Sequence, residues 1–322
     1  MEREVLLEIR NLKKYFPVKN FFGVRVGDLK AVDDVSFTIY KGETFGLVGE
    51  SGCGKSTLGR SILRMLSVDS GNVLYKGKDI ANLPAREWKE FRSKLQIIFQ
   101  DPYSALNPNW TVRELIQEPL KNAGMSKEMC HERVRELLKL VNMNEDDMHK
   151  FSYEFSGGQR QRIGIARAVA GYPEFIFCDE PVSALDVSVQ AQVVNMLKDL
   201  QKEMGLTYLF TAHDLSMVYH ISDRIGVMYL GGMVELGSSE EVFRNPLHPY
   251  TKALISAVPI ADPELSRKSS RIPIRGELPS PMNAPEGCRF CTRCPHATSH
   301  CKQERPQMRE VSPGHWVACH IL

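Results

Sequence analysis

Residues Gly49-Glu50-Ser51-Gly52-Cys53-Gly54-Lys55-Ser56-Thr57 decide how the rest of the chain is read. They carry the spacing G-x-x-x-x-G-K-[ST], directly after the apolar run Phe45 to Val48 and ahead of a helical segment, which is the context this spacing requires. Bare glycine backbone lets successive N–H groups curl round phosphate oxygens, and the helix N-terminus adds positive potential. The candidate triphosphate ligands are therefore Gly49, Ser51, Gly52, Cys53, Gly54, Lys55, Ser56 and Thr57, with Lys55 reaching the β- and γ-phosphates and Ser56 coordinating Mg²⁺. A second half of the site follows at Phe175-Ile176-Phe177-Cys178-Asp179-Glu180, an apolar strand ending in two carboxylates. Asp179 is expected to hold Mg²⁺, and Glu180, projecting beyond the strand end, to polarise the attacking water.

Outward from the loop, Val32 to Tyr40 reads as a strand, and Lys41-Gly42 turns the chain into Thr44 to Val48. Residues 1 to about 100 otherwise read as strands and turns. From about 101 to 170 the pattern is helical: Thr111 with Glu114 forms a capping box, and Val134, Leu137, Leu138 and Val141 recur at helical spacing. Buried-strand runs return at Phe175 to Cys178 and Thr207 to Thr211, separated by a helix from about Ser188 to Met204, the βαβ alternation of a parallel sheet. Beyond about 258 the composition shifts, with six prolines between Pro259 and Pro285 and then a cysteine cluster. The expected division is a nucleotide-hydrolysing domain over 1–257, with a helical subdomain at about 101–170, and a proline-rich linker with a small cysteine module over 258–322.

The bulk numbers narrow the function classes. With 322 residues the chain is long enough to bury a sizeable core, and a formal net charge of +2 gives no nucleic-acid footprint. The N-terminal residues mix both charge signs and lack a basic-then-apolar order, so the protein is expected to stay inside the cell. The longest nearly uncharged apolar stretch, Ile225 to Val234, is about half of the ~20 residues that cross a bilayer. A membrane role is expected to come through a partner.

Phe155-Ser156-Gly157-Gly158-Gln159-Arg160-Gln161-Arg162 lies ahead of a helix running to Ala170 and resembles the signature motif of ABC ATPases, with phenylalanine in place of the commoner leucine at 155. A serine and two glycines at a helix N-terminus make an anion site, yet the chain already has its own phosphate loop. The resemblance implies that Ser156, Gly157, Gly158 and Gln159 face the phosphate loop of a second ATPase subunit, so that ATP is sandwiched between two chains. It also implies roles for residues in matching positions. Gln100 would touch Mg²⁺ and water while its loop, Asp101 to Pro108, senses the membrane partner. Asp186, in Ser183-Ala184-Leu185-Asp186, would lie in a loop crossing the dimer interface; His213 would contact the γ-phosphate; and Phe16, with Tyr15 as a neighbouring candidate, would stack on adenine. The implied catalytic set is Glu180, His213 and Lys55, and the implied Mg²⁺ set is Ser56, Gln100 and Asp179.

The implied fold is α/β: a P-loop ABC-type nucleotide-binding domain with a mixed sheet core, a helical subdomain insertion and a small cysteine-containing C-terminal extension. The stretch Asn245 to Leu254 and the run from Gly287-Cys288 to Gly314-His315-Trp316-Val317-Ala318-Cys319-His320 are similar to those of oligopeptide and dipeptide permease ATPases, and nickel-importing relatives share parts of them. The insertion Pro17 to Lys30 and the Phe155 signature favour the second of the two paired ATPase subunits. The implied partners are a second ABC ATPase subunit, identical or different, two transmembrane permease subunits and, indirectly, an extracytoplasmic solute-binding protein; the implied place is the cytoplasmic face of the membrane, bound peripherally. The rivals are a soluble ABC ATPase acting on nucleic acid or ribosomes, disfavoured because no second cassette, coiled coil or basic arm is read here, and a catalytically silent partner subunit, disfavoured because every motif is intact.

Cys288, Cys291, Cys294, Cys301 and Cys319 follow the spacing C-x2-C-x2-C-x6-C-x17-C. Five thiols exceed the four of a tetrathiolate site, and spacing alone leaves iron–sulfur and zinc open. The resemblance to permease subunits implies that Cys288, Cys294, Cys301 and Cys319 hold a [4Fe–4S] cluster, with Zn²⁺ as the alternative and Cys291 as a bystander or substitute. Cys53, Cys130 and Cys178 read as packing or loop residues whose side chains carry no functional role.

Overall fold

The computed structural model describes residues 3–258, 272–274, 276–277 and 279–322. Most of the proline-rich linker expected from residue 258 thus lies outside the described residues. In chain order the elements are β1 (Val5–Lys19), β2 (Arg25–Tyr40), β3 (Thr44–Val48), α1 (Lys55–Ile62), β4 (Ser70–Tyr75), β5 (Lys78–Asp79), α2 (Ala85–Arg92), β6 (Leu95–Ile98), α3 (Pro102–Ala105), α4 (Val112–Asn122), α5 (Lys127–Leu140), α6 (Gly157–Val169), β7 (Phe175–Asp179), α7 (Val187–Met204) and β8 (Thr207–Thr211). They continue with α8 (Leu215–Ile221), β9 (Arg224–Tyr229), β10 (Gly232–Ser238), α9 (Ser239–Arg244), α10 (Pro249–Ser256), α11 (Ser299–Gln303), β11 (Arg309–Ser312) and β12 (His315–Val317).

These elements form two compact units that do not follow chain order. The first comprises Met1–Glu4, Tyr40–Glu43 and Asn82–Ala212. Its strands β6, β7 and β8 pair in parallel, with Ile98 opposite Cys178 and Asp179 opposite Thr211. Every residue of β7 and β8 is buried, as expected of parallel strands covered on both faces. Among the helices of this unit, α3 to α6 fall in the stretch of about 101–170 read as helical: α4 packs on α5 and α6, and α6 also on α3 and β6. Helix α4 starts on the expected capping box, in which Thr111 Oγ1 accepts from Glu114 N while Glu114 returns a carboxylate oxygen to Thr111 N. Helix α2 was not expected from the sequence. None of its residues is buried, so it leaves no apolar stripe to read.

The second unit comprises Val5–Ile39, Thr44–Ala81 and His213–Leu322. An antiparallel sheet runs β2-β1-β4-β5. In a second layer β3 pairs in parallel with β9, β9 antiparallel with β10, and β12 lies antiparallel between β10 and β11. The sheet core is therefore mixed, as expected. The Phe37 and Phe45 rings stack at 4.8 Å and tie the two layers together. Strand β2 begins at Arg25, seven residues ahead of the strand read from sequence. Most of the Pro17–Lys30 insertion thus extends the β1 and β2 strands around a turn at Asn20, whose side chain accepts from the N–H groups of Phe22 and Val24. Phe21 and Phe22 at its tip are 98% and 85% exposed. This extension contributes little to the core, which explains why hydrophobic patterning found only the buried part of the strand.

Candidate nucleotide site

In the second unit β3 delivers the chain into the Gly49–Thr57 loop, and α1 leaves from it with Gly54 as N-cap. Gly54 has φ +107°, and a Cβ there would lie 2.0 Å from Ala31 O, so both conformation and space demand glycine. Lys55 is only 4% exposed. Its Nζ donates to the carbonyls of Gly49 at 2.8 Å and Glu50 at 3.3 Å, folding the ammonium into the concave side of the loop. Cys53 is buried, and burial pushes its thiol up, which agrees with a side chain used for packing. Ser51 and Gly52 are exposed, while Ser56 and Thr57 are half-buried in the first turn of α1.

Two aromatic candidates sit at neighbouring positions of β1 in this unit. The Tyr15 hydroxyl donates to Asp33, which also accepts from Arg289 and Arg305. Burial opposes ionisation of Asp33, but the Tyr15 hydroxyl and the two guanidinium groups outweigh it and hold the carboxyl below its usual range. The neighbouring Phe16 ring is half-exposed, with Lys14 Nζ 5.2 Å from its centroid. The structure thus ties Tyr15 inward and leaves Phe16 with an accessible face. His213 is exposed and immediately precedes Asp214, the N-cap of α8.

In the first unit β7 carries Asp179 to its end with no exposed surface, and Glu180 follows at 6% exposure. Glu180 has φ +48°, an unfavourable conformation for a residue with a Cβ and a form of strain found at functional sites. Thr211 Oγ1 accepts from Glu180 N at 3.0 Å, fixing the backbone. Gln100 Nε2 donates to Glu180 Oε2 at 2.9 Å. Two residues singled out 80 positions apart are thus in direct contact.

Ser156 is the N-cap of α6. It forms a reciprocal box with Gln159: Ser156 Oγ accepts from Gln159 N at 3.4 Å, and Gln159 Oε1 accepts from Ser156 N at 3.0 Å. Both side chains are exposed, with Gly157 and Gly158 half-exposed between them, while Phe155 just ahead is buried. A Cβ on Gly158 would fall 2.6 Å from Val189 Cγ1, so this glycine permits α7 to come close. Asp186, the N-cap of α7, is exposed. Beside the loop that follows Gln100, a cleft of about 1250 Å³ is lined by Phe99, Ser104, Ala105, Glu118 and Arg167, with Arg86, Lys89 and Arg92 along its rim.

All eight cysteines are free. Burial pushes the Cys288 thiol up to about 11, and the thiols of Cys291, Cys301 and Cys319 add to the shift. Cys294 and Cys319 are raised in the same way, by burial first and by neighbouring thiols after it. Among the described residues, no three His, Cys, Asp or Glu side chains are gathered tightly enough, as placed, to hold a metal ion.

Sequence reading did not find Asp33, Tyr250, Arg289 or Arg293, which contact the loop or its neighbouring strand. Their partners are too distant along the chain for spacing to carry a signal.

The chain matches the ABC transporter family over residues 32–183 and the oligopeptide/dipeptide transporter C-terminal region over 234–301. It is 53% identical to the oligopeptide transport ATP-binding protein AppF of Bacillus subtilis, over 99% of this chain and 98% of that protein. It is likewise 53% identical to the oligopeptide transport ATP-binding protein OppF of Salmonella typhimurium, over 99% and 96%. Among solved structures, a dimeric post-hydrolysis state of the ATP-binding cassette MJ0796, bound to ADP and phosphate, superposes with a TM-score of 0.66 at 28% identity, covering 73% of this chain and 99% of that one. A nearly full-length match at this identity, together with a phosphate loop, a paired-carboxylate strand end and a self-capped signature helix, shows that the chain belongs to the ABC transporter family, among the oligopeptide transport ATP-binding proteins.

Proposed function

We propose that this chain is the ATP-binding, ATP-hydrolysing subunit that energises a membrane importer of short peptides, bound peripherally at the cytoplasmic face. The observation that carries the reading is the 2.9 Å hydrogen bond between Gln100 and Glu180. It couples the residue that begins the loop beside the cleft to the carboxylate that would orient the attacking water. A change at the cleft then reaches the catalytic carboxylate, and the reverse.

In this mechanism Lys55 and the loop N–H groups hold the β- and γ-phosphates, Phe16 stacks on adenine, and Ser56, Asp179 and Gln100 would hold Mg²⁺, which would neutralise charge on the phosphates. Glu180 orients water for in-line attack and His213 contacts the γ-phosphate. Ser156, Gly157, Gly158 and Gln159 complete the site of a second ATPase subunit, and Asp186 lies where the two chains meet. Catalysis is positioning and electrostatic stabilisation. The exposed Ser156–Gln159 end supports this arrangement, because a helix end that caps itself and faces solvent is available to another chain. The cleft, being basic at its rim, is the surface on which a permease subunit docks, so that closure of the ATPase pair moves the membrane subunits.

The cysteine module suits a tetrathiolate group by its donor chemistry, five free thiols clustered between Cys288 and Cys319. Cys288, Cys294, Cys301 and Cys319 are the ligands we assign, to a [4Fe–4S] cluster in preference to Zn²⁺, with Cys291 in reserve. Such a group would cross-link the module and supply no substrate chemistry. Anaerobic purification should give iron and sulfide with the chain, lost in Cys288→Ser; stoichiometric zinc without iron overturns the cluster.

Hydrolysis tests the main reading. Lys55→Ala should abolish turnover. Glu180→Gln should bind ATP with wild-type affinity, hydrolyse it at least ~100-fold more slowly and accumulate a closed pair on sizing; a Glu180→Gln protein that turns over at the wild-type rate places the base elsewhere. Reconstitution with its membrane subunits should show hydrolysis stimulated by short peptides in the presence of the solute-binding protein.

A further inference from the structure

Arginines of the cysteine module reach the nucleotide loop and the strand beside it, all within the second unit. Arg293 Nη1 donates to both carboxylate oxygens of Glu50, at 3.2 and 2.9 Å, and to Tyr229 Oη at 3.3 Å. Glu50 is the second residue of the phosphate loop. Its N–H donates to Tyr250 Oη at 2.8 Å, and its carbonyl accepts from Lys55. Tyr229, Tyr250 and Phe290 pack against one another with centroids 4.7 to 5.4 Å apart, making a stiff floor under this residue. A second anchor joins the module to β2, where Arg305 Nη2 donates to Asp33 O at 2.8 Å and Arg289 pairs with the Asp33 carboxylate that receives the Tyr15 hydroxyl.

The charge pattern is unusual for a structural clamp. Glu50 places a carboxylate in a loop that must receive a polyanion, where unpaired negative charge opposes binding. The Arg293 and Glu50 side chains are only 10% and 26% exposed, so water screens that charge poorly. The pair is charge-assisted and partly desolvated, which sets it apart from surface ion pairs of negligible effect.

We propose that Arg293 is a positioning residue for ATP binding: it fixes the phosphate loop through Glu50 and neutralises that carboxylate, making the cysteine-rich module a working part of the nucleotide site. The proposal rests on the reading of Gly49–Thr57 as the ATP loop. The effect of Arg293 passes through Glu50 and on to Lys55.

The test is ATP affinity and steady-state hydrolysis of the full-length chain purified anaerobically, with Lys55→Ala as the control. Arg293→Ala should raise the Kd and KM for MgATP about tenfold, the scale of one charge-assisted bond, with kcat within about twofold of wild type. Adding Glu50→Gln to Arg293→Ala should recover most of that loss, because the uncompensated charge is gone, and Arg293→Lys should recover part of it. A clamp with only a structural role gives a double variant no better than Arg293→Ala, and that result, or an unchanged KM in Arg293→Ala, overturns the proposal. If Arg293→Ala does not fold, Arg293→Gln, which keeps a donor for Glu50 but leaves its charge uncompensated, decides: it should weaken ATP binding about tenfold, and adding Glu50→Gln should restore affinity, while failure of the pair to restore it sinks the proposal. Normal binding and turnover by Lys55→Ala instead sinks the reading of the loop itself.

Discussion

The Gly49–Thr57 loop and the Ser156–Gln159 helix end are both glycine-rich turns opening a helix, yet they are built in opposite ways. The loop is anchored in its unit, with Lys55 4% exposed and Glu50 held by Arg293 and Tyr250, although Ser51 and Gly52 stay exposed. The helix end is exposed, and its polar groups are satisfied by Ser156 and Gln159 exchanging hydrogen bonds with each other. A site that holds ligand by itself needs support from its surroundings; a site that completes another chain's pocket needs to be rigid and accessible. The same physical device, N–H groups at a helix N-terminus, serves two purposes according to what is packed behind it.

The comparison breaks most sharply at Ser156. Aspartate retains the N-cap but places a negative charge where a second chain's γ-phosphate must approach. Ser156→Asp should lower hydrolysis by ~100-fold and abolish the ATP-dependent pair, while the single chain binds ATP as before; a large loss of single-chain affinity would mean that the helix end serves its own loop. A smaller effect sharpens the other side of the comparison. Tyr250, which holds Glu50, lies in the first turn of α10, whose N-cap is His248, with His248 Nδ1 accepting from Tyr250 N at 3.1 Å. Burial drives the His248 pKa down from 6.5 to about 4, although Glu235 pulls the other way. A depressed histidine favours the neutral form on folding, so its contribution is present above pH 6.5 and is lost as pH falls toward 4, of the order of 3 kcal/mol in all. Thermal unfolding of wild type should therefore weaken more between pH 7 and pH 4.5 than that of His248→Asn, which retains an N-cap acceptor. Equal pH slopes for the two proteins would remove His248 from the account.

Legibility followed sequence distance. The loop, the Asp179–Glu180 strand end, the signature and the Thr111 box were all readable, because each is fixed by covalent spacing within one or two turns of chain. Helix α2 was missed because it buries nothing, and the β1–β2 extension because its residues are held by turn and ladder hydrogen bonds more than by a core. The cysteines could be counted from spacing, but the burial that raises the Cys288 and Cys294 thiols depends on how the module folds.

By itself the sequence determined which residues could bind phosphate, which strand ends in acid and which helix begins with an anion site, since those properties belong to short contiguous segments. Only the tertiary structure decided that Gln100 reaches Glu180 across 80 positions, that Tyr15 is spent on Asp33 while Phe16 stays accessible, and that Arg293 grips Glu50 across 243. Those pairings come from the packing of distant segments, and side chains that meet only through packing leave no periodicity in the chain that encodes them.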